Sequence, residues 1–258
     1  MDETGQSSRR LRLLSYNIQT GSRTSRYRHY VTRSWRQIIP NRTQLVNLEA
    51  ISELLVDYDF VGLQEVDGGS FRSSFINQTG YLAVKAGFNF WFSEPNRNVG
   101  QLAKHSNGLL SRYLPSACRH VKLPGLPGRG ALVSEFDYGQ ETLAIIVVHL
   151  ALGGQSQKQQ FDYLLHLSRE YPYCIIMGDF NKEPDSKLVD DLLLEGGFKE
   201  SSQQVPTFPS WRPKRKIDYI LVSENLQVRS SSVVDYPLSD HLPIALEVQL
   251  PDSVQLVV

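Results

Sequence analysis

Short runs of apolar residues, separated by polar or glycine-rich stretches, recur along the whole chain and predict β-strands. Several runs do not alternate with polar residues, which is typical of strands buried on both faces. Other segments carry apolar residues at helical spacing, as in Leu45, Leu48 and Ile51. The pattern predicts about ten strands and three or four helices. The strands span residues 11–18, 60–64, 88–92, 107–111, 131–136, 142–150, 174–177, 217–222, 226–234 and 242–250, and the helices span residues 43–55, 72–87, 155–171 and 188–194.

Hairpins and strand–helix–strand units are mixed along the chain, with no internal repeat, linker or change of composition near the middle. One domain is therefore the economical interpretation, and we assign it to residues 11–250. Residues 1–10 carry no apolar run and are expected to be disordered. Two mixed sheets stacked face to face, with helices on the outside, would bury these elements in one α/β domain.

The chain has 27 basic and 27 acidic residues, so its net charge is zero. This balance argues against a surface coated in positive potential for tight non-specific DNA binding, but it is compatible with a local basic patch. The two cysteines lack partners at metal-ligand spacing, which argues against a cysteine-rich zinc site. No run reaches the roughly 20 apolar residues of a membrane span. We expect a cytoplasmic monomer, although a signal peptide removed earlier would leave no trace here.

Polar residues with useful chemistry lie at the ends of the predicted strands. In open α/β sheets, ligands commonly bind at the rim where strands end. Such residues can therefore meet at one site although they are distant in the sequence. They are Asn17, Glu65, His149, Asp179, Asn181, Asp218, Asp240 and His241.

The segment Gly178-Asp179-Phe180-Asn181 combines a carboxylate and an amide at a strand end. Since residues two apart on a strand share a face, Asp179 and Asn181 should point together while Phe180 enters the core. A carboxylate can hold or deprotonate a water, and an amide can orient it. Gly178 leaves room for a ligand near the backbone. A strand end followed by a helix cap would use the same residue types.

Three oxygen-bearing residues are candidates for binding a hard cation. Glu65 follows a buried apolar strand, Asn17 ends another, and Asp240 stands beside His241. Mg²⁺ prefers oxygen donors and keeps several of its waters. The alternative for each residue is an exposed loop or turn position.

The histidines and Asn107 are candidates for contacting a phosphate or moving a proton. Asp218, at the start of an apolar run, is placed to orient an imidazole such as that of His241 and to support its charge. His149 ends the run 143–148, and it is either a phosphate contact or a satisfied core histidine. Asn107 is either a phosphate contact or a turn residue.

Taken together, the motifs resemble those of the endonuclease/exonuclease/phosphatase superfamily, which includes DNase I, AP endonucleases, sphingomyelinases and inositol polyphosphate 5-phosphatases. Each motif is weak alone, but all occur in the family's order and they span residues 15–243. The motifs are Ser15-Tyr16-Asn17-Ile18, Leu63-Gln64-Glu65-Val66, Ser106-Asn107-Gly108-Leu109-Leu110-Ser111-Arg112, Val148-His149-Leu150, Gly178-Asp179-Phe180-Asn181, Ile217-Asp218-Tyr219-Ile220 and Ser239-Asp240-His241-Leu242-Pro243.

The resemblance implies a DNase I-like, four-layer α/β/β/α sandwich with the site at one edge. It implies that Glu65 binds Mg²⁺, or Mn²⁺ as a substitute, with help from Asn17 and Asp240. It further implies that Asp179 and Asn181 prepare the attacking water, and that His241, paired with Asp218, stabilises phosphate charge or handles a proton. His149 matches the histidine of the DNase I and sphingomyelinase branches, whereas AP endonucleases carry tyrosine there.

The expected function is Mg²⁺-dependent hydrolysis of a phosphate ester, most simply a phosphodiester, by direct in-line attack of water. The substrate class stays open between a nucleic acid, a phospholipid head group and a soluble phosphoester. Arg212, Lys214 and Arg215 are candidate phosphate contacts, and the arginine- and aromatic-rich stretch 23–42 is another. The alternative from another class is a non-catalytic binding or scaffold protein that retains the fold.

Overall fold

A computed structural model describes residues 10–22, 42–99, 102–200 and 205–258. The predicted disordered residues 1–9 and most of the arginine-rich stretch, residues 23–41, lie outside these ranges. Arg10 already belongs to the first strand.

In the described residues, twelve strands form two mixed sheets of six strands each. The first sheet has the order β11-β12-β1-β2-β4-β3, and its one parallel pair is β1 with β2. Its strands are β1 (Arg10–Asn17), β2 (Phe60–Asp67), β3 (Phe90–Val99), β4 (Ala103–Ser111), β11 (Gln227–Val233) and β12 (Ile244–Gln249).

The second sheet repeats this arrangement with the order β5-β6-β7-β8-β10-β9, and its one parallel pair is β7 with β8. Its strands are β5 (Ala117–Lys122), β6 (Gly130–Phe136), β7 (Leu143–His149), β8 (Tyr173–Asp179), β9 (Phe198–Glu200) and β10 (Asp218–Ser223). Strands β7 and β8 are buried along their whole length, as their unbroken apolar runs predict.

The part of the chain that the structure describes has four α-helices on the outer faces of the sheets: α1 (Arg42–Leu55), α2 (Gln78–Ala86), α3 (Gly154–Ser168) and α4 (Lys187–Gly196). Local sequence sets the ends of α4, because the Ser186 hydroxyl accepts a hydrogen bond from the Leu188 N–H and Gly197 takes the left-handed conformation that ends a helix. None of these four helices has the length and apolar character needed to cross a membrane.

Three apolar layers hold the fold together. The central layer lies between the sheets and joins side chains from β1, β2 and β12 to side chains from β6, β7 and β8. One outer layer joins α1 and α2 to the first sheet, and the other joins α3 and α4 to the second sheet. The sheets approach closely at Gly62, where an added Cβ would lie 2.5 Å from the Met177 sulfur. The predicted α/β/β/α sandwich with two stacked mixed sheets is therefore confirmed.

Several element boundaries differ from the sequence prediction. The predicted helix 72–87 is wrong in its first part, where a 3₁₀ turn at Phe71–Ser73 precedes α2. Strand β4 begins at Ala103, so His105 lies in a strand and not in a loop. Strands β5 and β9 were not predicted. A strand is identified from sequence by a run of apolar residues, and the exposed positions of β5 do not form such a run. Packing also continues past residue 250, since Val254 and Leu256 join the central layer.

Candidate active site

The predicted site residues meet at one edge of the sandwich because the strand register brings their strand ends together. In the second sheet, Asp179 pairs with His149 of β7 on one side and with Asp218 of β10 on the other. In the first sheet, the parallel strands β1 and β2 carry Asn17 and Glu65 towards the same edge. The Asn17 Nδ2 donates to Asp179 Oδ2 over 3.1 Å, which links the two sheets.

Gly178 permits the close strand contact that places Asp179. Its φ of +151° lies in a region that residues with side chains rarely adopt, and an added Cβ would lie 1.9 Å from the Val148 carbonyl oxygen. A glycine is therefore required just before Asp179 for a steric reason within the sheet. Room for a ligand, expected from the sequence, is therefore not needed to explain this glycine.

A bulge in β2 places Glu65. The pairing of β2 with β4 shifts register between Leu63 and Val66, and Glu65 has a φ of +55°. Such a conformation is uncommon for glutamate, and bulges of this kind re-aim a side chain. The Thr20 hydroxyl donates to the Glu65 carbonyl and holds the bulge. The Glu65 side chain keeps 32% exposure and faces the cleft.

His241 and Asp218 form a buried charged pair. The His241 Nδ1 lies 2.9 Å and 3.1 Å from the two Asp218 oxygens. Burial lowers the pKa of His241, but the charges of Asp218 and Asp179 outweigh this effect and raise the pKa well above its usual value. His241 is thus held as a cation. The buried Thr207 hydroxyl donates to Asp218 Oδ2 and completes the pair.

Asp179 lies at the centre of the cluster. Its Oδ2 is 3.5 Å from His149 Nε2 and 3.8 Å from His241 Nε2, and its Oδ1 accepts from the Asn181 backbone N–H over 2.9 Å. Burial raises the pKa of Asp179 to about 7, although the His241 charge opposes the rise. A carboxylate with a raised pKa is a stronger proton acceptor near neutral pH.

His149 is the neutral histidine of the site. Burial, followed by the charges of Arg129 and His241, lowers the pKa of His149 well below its usual value. Its Nε2 also lies 4.0 Å from Glu65 Oε1. A neutral imidazole can donate one hydrogen bond through its single N–H.

The Asn181 side chain is oriented differently from the simple strand prediction. Strand β8 ends at Asp179, and Asn181 adopts a φ of +52°. Its Nδ2 donates to the Leu150 carbonyl over 3.0 Å. Phe180 is fully buried, as predicted. Asn181 therefore fixes the Asp179 carboxylate through its backbone and fixes the loop after β7 through its amide.

The acidic residues at the cleft fit a hard divalent cation. Burial raises the pKa of Glu65, and the nearby charge of Asp240 raises it further. Two carboxylates that repel each other in this way would be stabilised by a shared cation. The Asn17 amide lowers the pKa of Glu65, and its nitrogen, which donates to Asp179, faces the carboxylates while its oxygen accepts from the Gln19 N–H. Binding of a cation by the Asn17 oxygen would take the amide rotated by half a turn and would break both bonds.

A second acidic cluster is less suited to a metal. Ligand atoms of Asp179, Asp218 and His241 all lie within 4.8 Å of one another. The hydrogen bond to Asp218 occupies Nδ1 of His241, and the raised pKa keeps this ring protonated. A protonated imidazole does not ligate metals, because the ligand must be deprotonated.

A cavity of about 200 Å³ opens beside these residues. Asn107 lines it: Nδ2 donates to the Gly130 carbonyl, and Oδ1 is buried without a hydrogen-bond partner in the described part of the chain. His105, whose position just before Ser106-Asn107-Gly108 in the sequence is compatible with an approach to the site, also lines it, as does Arg129, which was not assigned to the site from sequence. Arg129 lies in the glycine- and proline-rich stretch 124–130, where only the pairing of β6 with β7 reveals its position. The lining residues are Glu65, His105, Ser106, Asn107, Pro127, Gly128, Arg129 and His149.

The predicted basic contacts lie on a loop joined to the site, with exposed side chains. The Ser210 N–H donates to the Asp240 carbonyl over 2.7 Å, which anchors this loop beside the cleft. Arg215 pairs with Glu183 over 2.6 Å, and neither Arg212 nor Lys214 lines the cavity. These residues therefore belong to a loop anchored at Asp240 but do not line the cavity.

Comparison with known proteins agrees with this geometry. The sequence model of the Endonuclease/Exonuclease/phosphatase family matches residues 14–241, so the chain belongs to that family. No curated protein sequence matches the chain.

Solved structures share the fold at low sequence identity. An endonuclease/exonuclease/phosphatase from Beutenbergia cavernae DSM 12333 is 22% identical with a TM-score of 0.73, over 95% of this chain and 72% of that protein. A family protein from Bacteroides thetaiotaomicron is 16% identical with a TM-score of 0.72, over 95% and 100% of the two chains. A mannosyl-6-phosphatase from Bacteroides thetaiotaomicron VPI-5482 is 17% identical with a TM-score of 0.68, over 92% and 99%.

Proposed function

We propose that the protein is a Mg²⁺-dependent phosphodiesterase in which water attacks the phosphorus directly. The observation that carries the proposal is the position of the Asp179 carboxylate, which lies within 4 Å of the Asn17 amide and of the imidazoles of His149 and His241. The pKa of His149 is lowered and that of His241 is raised, so the first ring is neutral and the second is charged. This combination provides a proton acceptor, a neutral donor and a cation around one point. These are the requirements of phosphoryl transfer to water.

The metal would be held by oxygen atoms of Glu65 and Asp240, and the Asn17 oxygen could join them only if the amide gave up its bonds to Asp179 and to the Gln19 N–H. Bound there, Mg²⁺, or Mn²⁺ in its place, supplies charge neutralisation at the phosphate oxygens and at the leaving oxygen. The support for this assignment is the pair of neighbouring acidic groups, of which Glu65 lines the cavity.

Asp179 accepts the proton of the attacking water in this proposal. The Asn181 backbone N–H fixes Asp179 Oδ1, which leaves Oδ2 directed at the two histidines and at Asn17. Its pKa near 7 makes it effective as a base at neutral pH. Asn181 thus assists by orienting the base.

The two histidines stabilise the phosphate in different ways. His241, charged through Asp218, places a cation at the phosphate oxygens, and His149 donates a neutral hydrogen bond. Asn107 lines the adjoining cavity, and Arg212, Lys214 and Arg215 would contact more distant phosphate groups of the substrate.

The stereochemistry of hydrolysis tests the direct attack of water. A phosphodiester made chiral at phosphorus with sulfur is hydrolysed in ¹⁸O-labelled water, and the configuration of the product is determined. One displacement gives inversion, which is the expected result. Retention would require two displacements through a covalent enzyme intermediate and would overturn the proposal.

Variants test the role of His241. His241→Ala should lower kcat by about a hundredfold or more, because a cation at the developing phosphate charge is lost. His166→Ala, at an exposed position on α3, is the matched control and should leave kcat unchanged. An unchanged kcat in His241→Ala would contradict the assigned role. Absence of both phosphoester turnover and Mg²⁺ binding would instead favour the non-catalytic scaffold.

A further inference from the structure

Large apolar side chains are exposed on both sides of the cavity. Nine large apolar side chains are more than half exposed in the described residues, and four of them, all leucine or phenylalanine, lie at this edge: Phe75, Leu102, Leu126 and Leu152. The other five are Val46, Val56, Val84, Val258 and Leu194, of which Leu194 lies on α4. Single exposed apolar residues are ordinary on protein surfaces, but a concentration at one edge indicates an interaction site. We define the apolar rim as these four residues together with Phe71.

The apolar rim lies on chain segments that adjoin the strand ends beside the cavity. On one side, Phe71 and Phe75 follow the end of β2, and Leu102 precedes β4, whose His105 pairs with Asp67. On the other side, Leu126 lies in the loop that leads to Arg129 and β6, and Leu152 follows His149 at the end of β7. The cavity is lined by His105 next to the first group and by Arg129 and His149 next to the second.

A rigid hydrogen-bonded loop displays Phe71 and Phe75. The fully buried Asp67 carboxylate pairs with Arg72 and accepts hydrogen bonds from the hydroxyl groups of Ser70 and Ser73. The rings of Phe71 and Phe75 contact each other edge to face, with centroids 6.4 Å apart. Phe75 has a φ of +62°, a strained conformation for a bulky residue that persists only when its surroundings impose it. The aromatic side chains are thus held outward by buried polar bonds.

The charge of this surface complements an anion. The segments 68–76, 102–105, 123–130 and 150–156, which form the rim, contain no aspartate or glutamate. They contribute Lys104 and Arg129, besides Arg72, which is neutralised by the buried Asp67, and Arg129 shares the cavity lining with Glu65. A basic surface with apolar tips is the combination that binds an anionic lipid layer, because the tips enter the acyl boundary and the cations meet the phosphates.

We propose that the apolar rim docks the protein on an anionic lipid surface, with the mouth of the cavity facing the head groups. A protein partner seated on the same rim would cover the cavity and block access to Asp179. A lipid layer would bring phosphate groups to the cavity instead. Docking does not depend on catalysis by the site. The further inference that the docked lipid layer supplies the substrate rests on the proposed function.

Vesicle binding tests the proposal. The intact protein is co-sedimented with phosphatidylcholine vesicles that contain or lack phosphatidylglycerol, at low and high salt. Binding should require the anionic lipid and weaken at high salt, because screening removes the contribution of the cations. The triple variant Phe75→Ser, Leu126→Ser, Leu152→Ser should bind about tenfold or more weakly, since three apolar contacts with the acyl region are lost.

Leu194→Ser is the matched control, because Leu194 is 82% exposed and lies away from the rim. This variant should bind vesicles like the wild type. Turnover of the soluble substrate bis-p-nitrophenyl phosphate should be equal in the triple variant and the wild type. Failure of the wild type to bind anionic vesicles while it hydrolyses the soluble substrate would overturn docking and leave the proposed function intact. Equal loss of binding in Leu194→Ser and the triple variant would also overturn it.

Discussion

Glu94 makes a sharp prediction about stability, because its carboxyl group is buried in β3 and Oε2 has no hydrogen-bond partner in the described part of the chain. Burial raises the pKa of Glu94 from 4.5 to about 7. Its pairing partner across the sheet is Asn107, whose Oδ1 is also buried and unpartnered. A protonated carboxyl or an amide at residue 94 can offer a donor there, whereas a carboxylate can only accept.

The pKa of Glu94 is raised in the folded state, so the folded protein holds this proton more tightly than the unfolded chain does. The contribution of this proton to the free energy of unfolding is fully present below pH 4.5, and it is lost as the pH rises to about 7. At about 1.36 kcal/mol per pKa unit, the loss is about 3 kcal/mol. Glu94→Gln removes the titration and keeps a donor in place. Its free energy of unfolding should therefore exceed that of the wild type by about 3 kcal/mol above pH 7, with a small difference near pH 4.5.

Urea denaturation from pH 4.5 to 8.5 provides the measurement. Glu141→Gln is the control, because Glu141 is exposed and its substitution should change stability by less than about 0.5 kcal/mol at each pH. Parallel stability curves for the wild type and Glu94→Gln would refute the reasoning, since they would show that this buried carboxyl is not the source of the pH dependence.

Three further substitutions test how the site is held together. Arg72→Met leaves the Asp67 charge buried and unpaired, so urea denaturation should show a loss of about 3–5 kcal/mol, and a loss below about 1 kcal/mol would argue against the pair. Thr207→Val removes a hydrogen bond from Asp218, so the free energy of unfolding should fall by about 1–3 kcal/mol in the same assay. An unchanged free energy of unfolding would argue against that bond. Gly178→Ala forces a Cβ onto a backbone oxygen of β7, so the Tm should fall strongly, and a wild-type Tm would show that the strand contact is not required.

The residues of the site could be predicted because each one ends, or starts, a run of apolar residues. Asp179, His149 and Asp218 are far apart in the sequence, yet His149 and Asp179 end strands and Asp218 begins one at the same edge of the same sheet. Local patterning therefore identifies the strand ends, and the family's order of motifs indicates that they converge. The bulge that aims Glu65 has no local signature, since it depends on the register between β2 and β4.

Other features depend on contacts that local pattern does not contain. The turn at residues 71–73 replaces a predicted helix, because the buried Asp67 carboxylate binds the surrounding serine and arginine side chains. Arg129 lies in a stretch that indicates only a turn, and strand pairing brings it to the cavity. Thr207 belongs to a segment without periodicity, and only its hydrogen bond to Asp218 reveals its role.

The dependence of turnover on Mg²⁺ tests most directly whether Glu65 and Asp179 form one metal-assisted centre. Hydrolysis of bis-p-nitrophenyl phosphate is measured during a Mg²⁺ titration of chelator-treated wild type, Glu65→Gln and the exposed control Glu141→Gln. The wild type and the control should share one Mg²⁺ dependence, and Glu65→Gln should need about tenfold more Mg²⁺ or more, because a charged ligand is lost. Turnover that is indifferent to Mg²⁺, or the same Mg²⁺ dependence in all three proteins, would contradict the account.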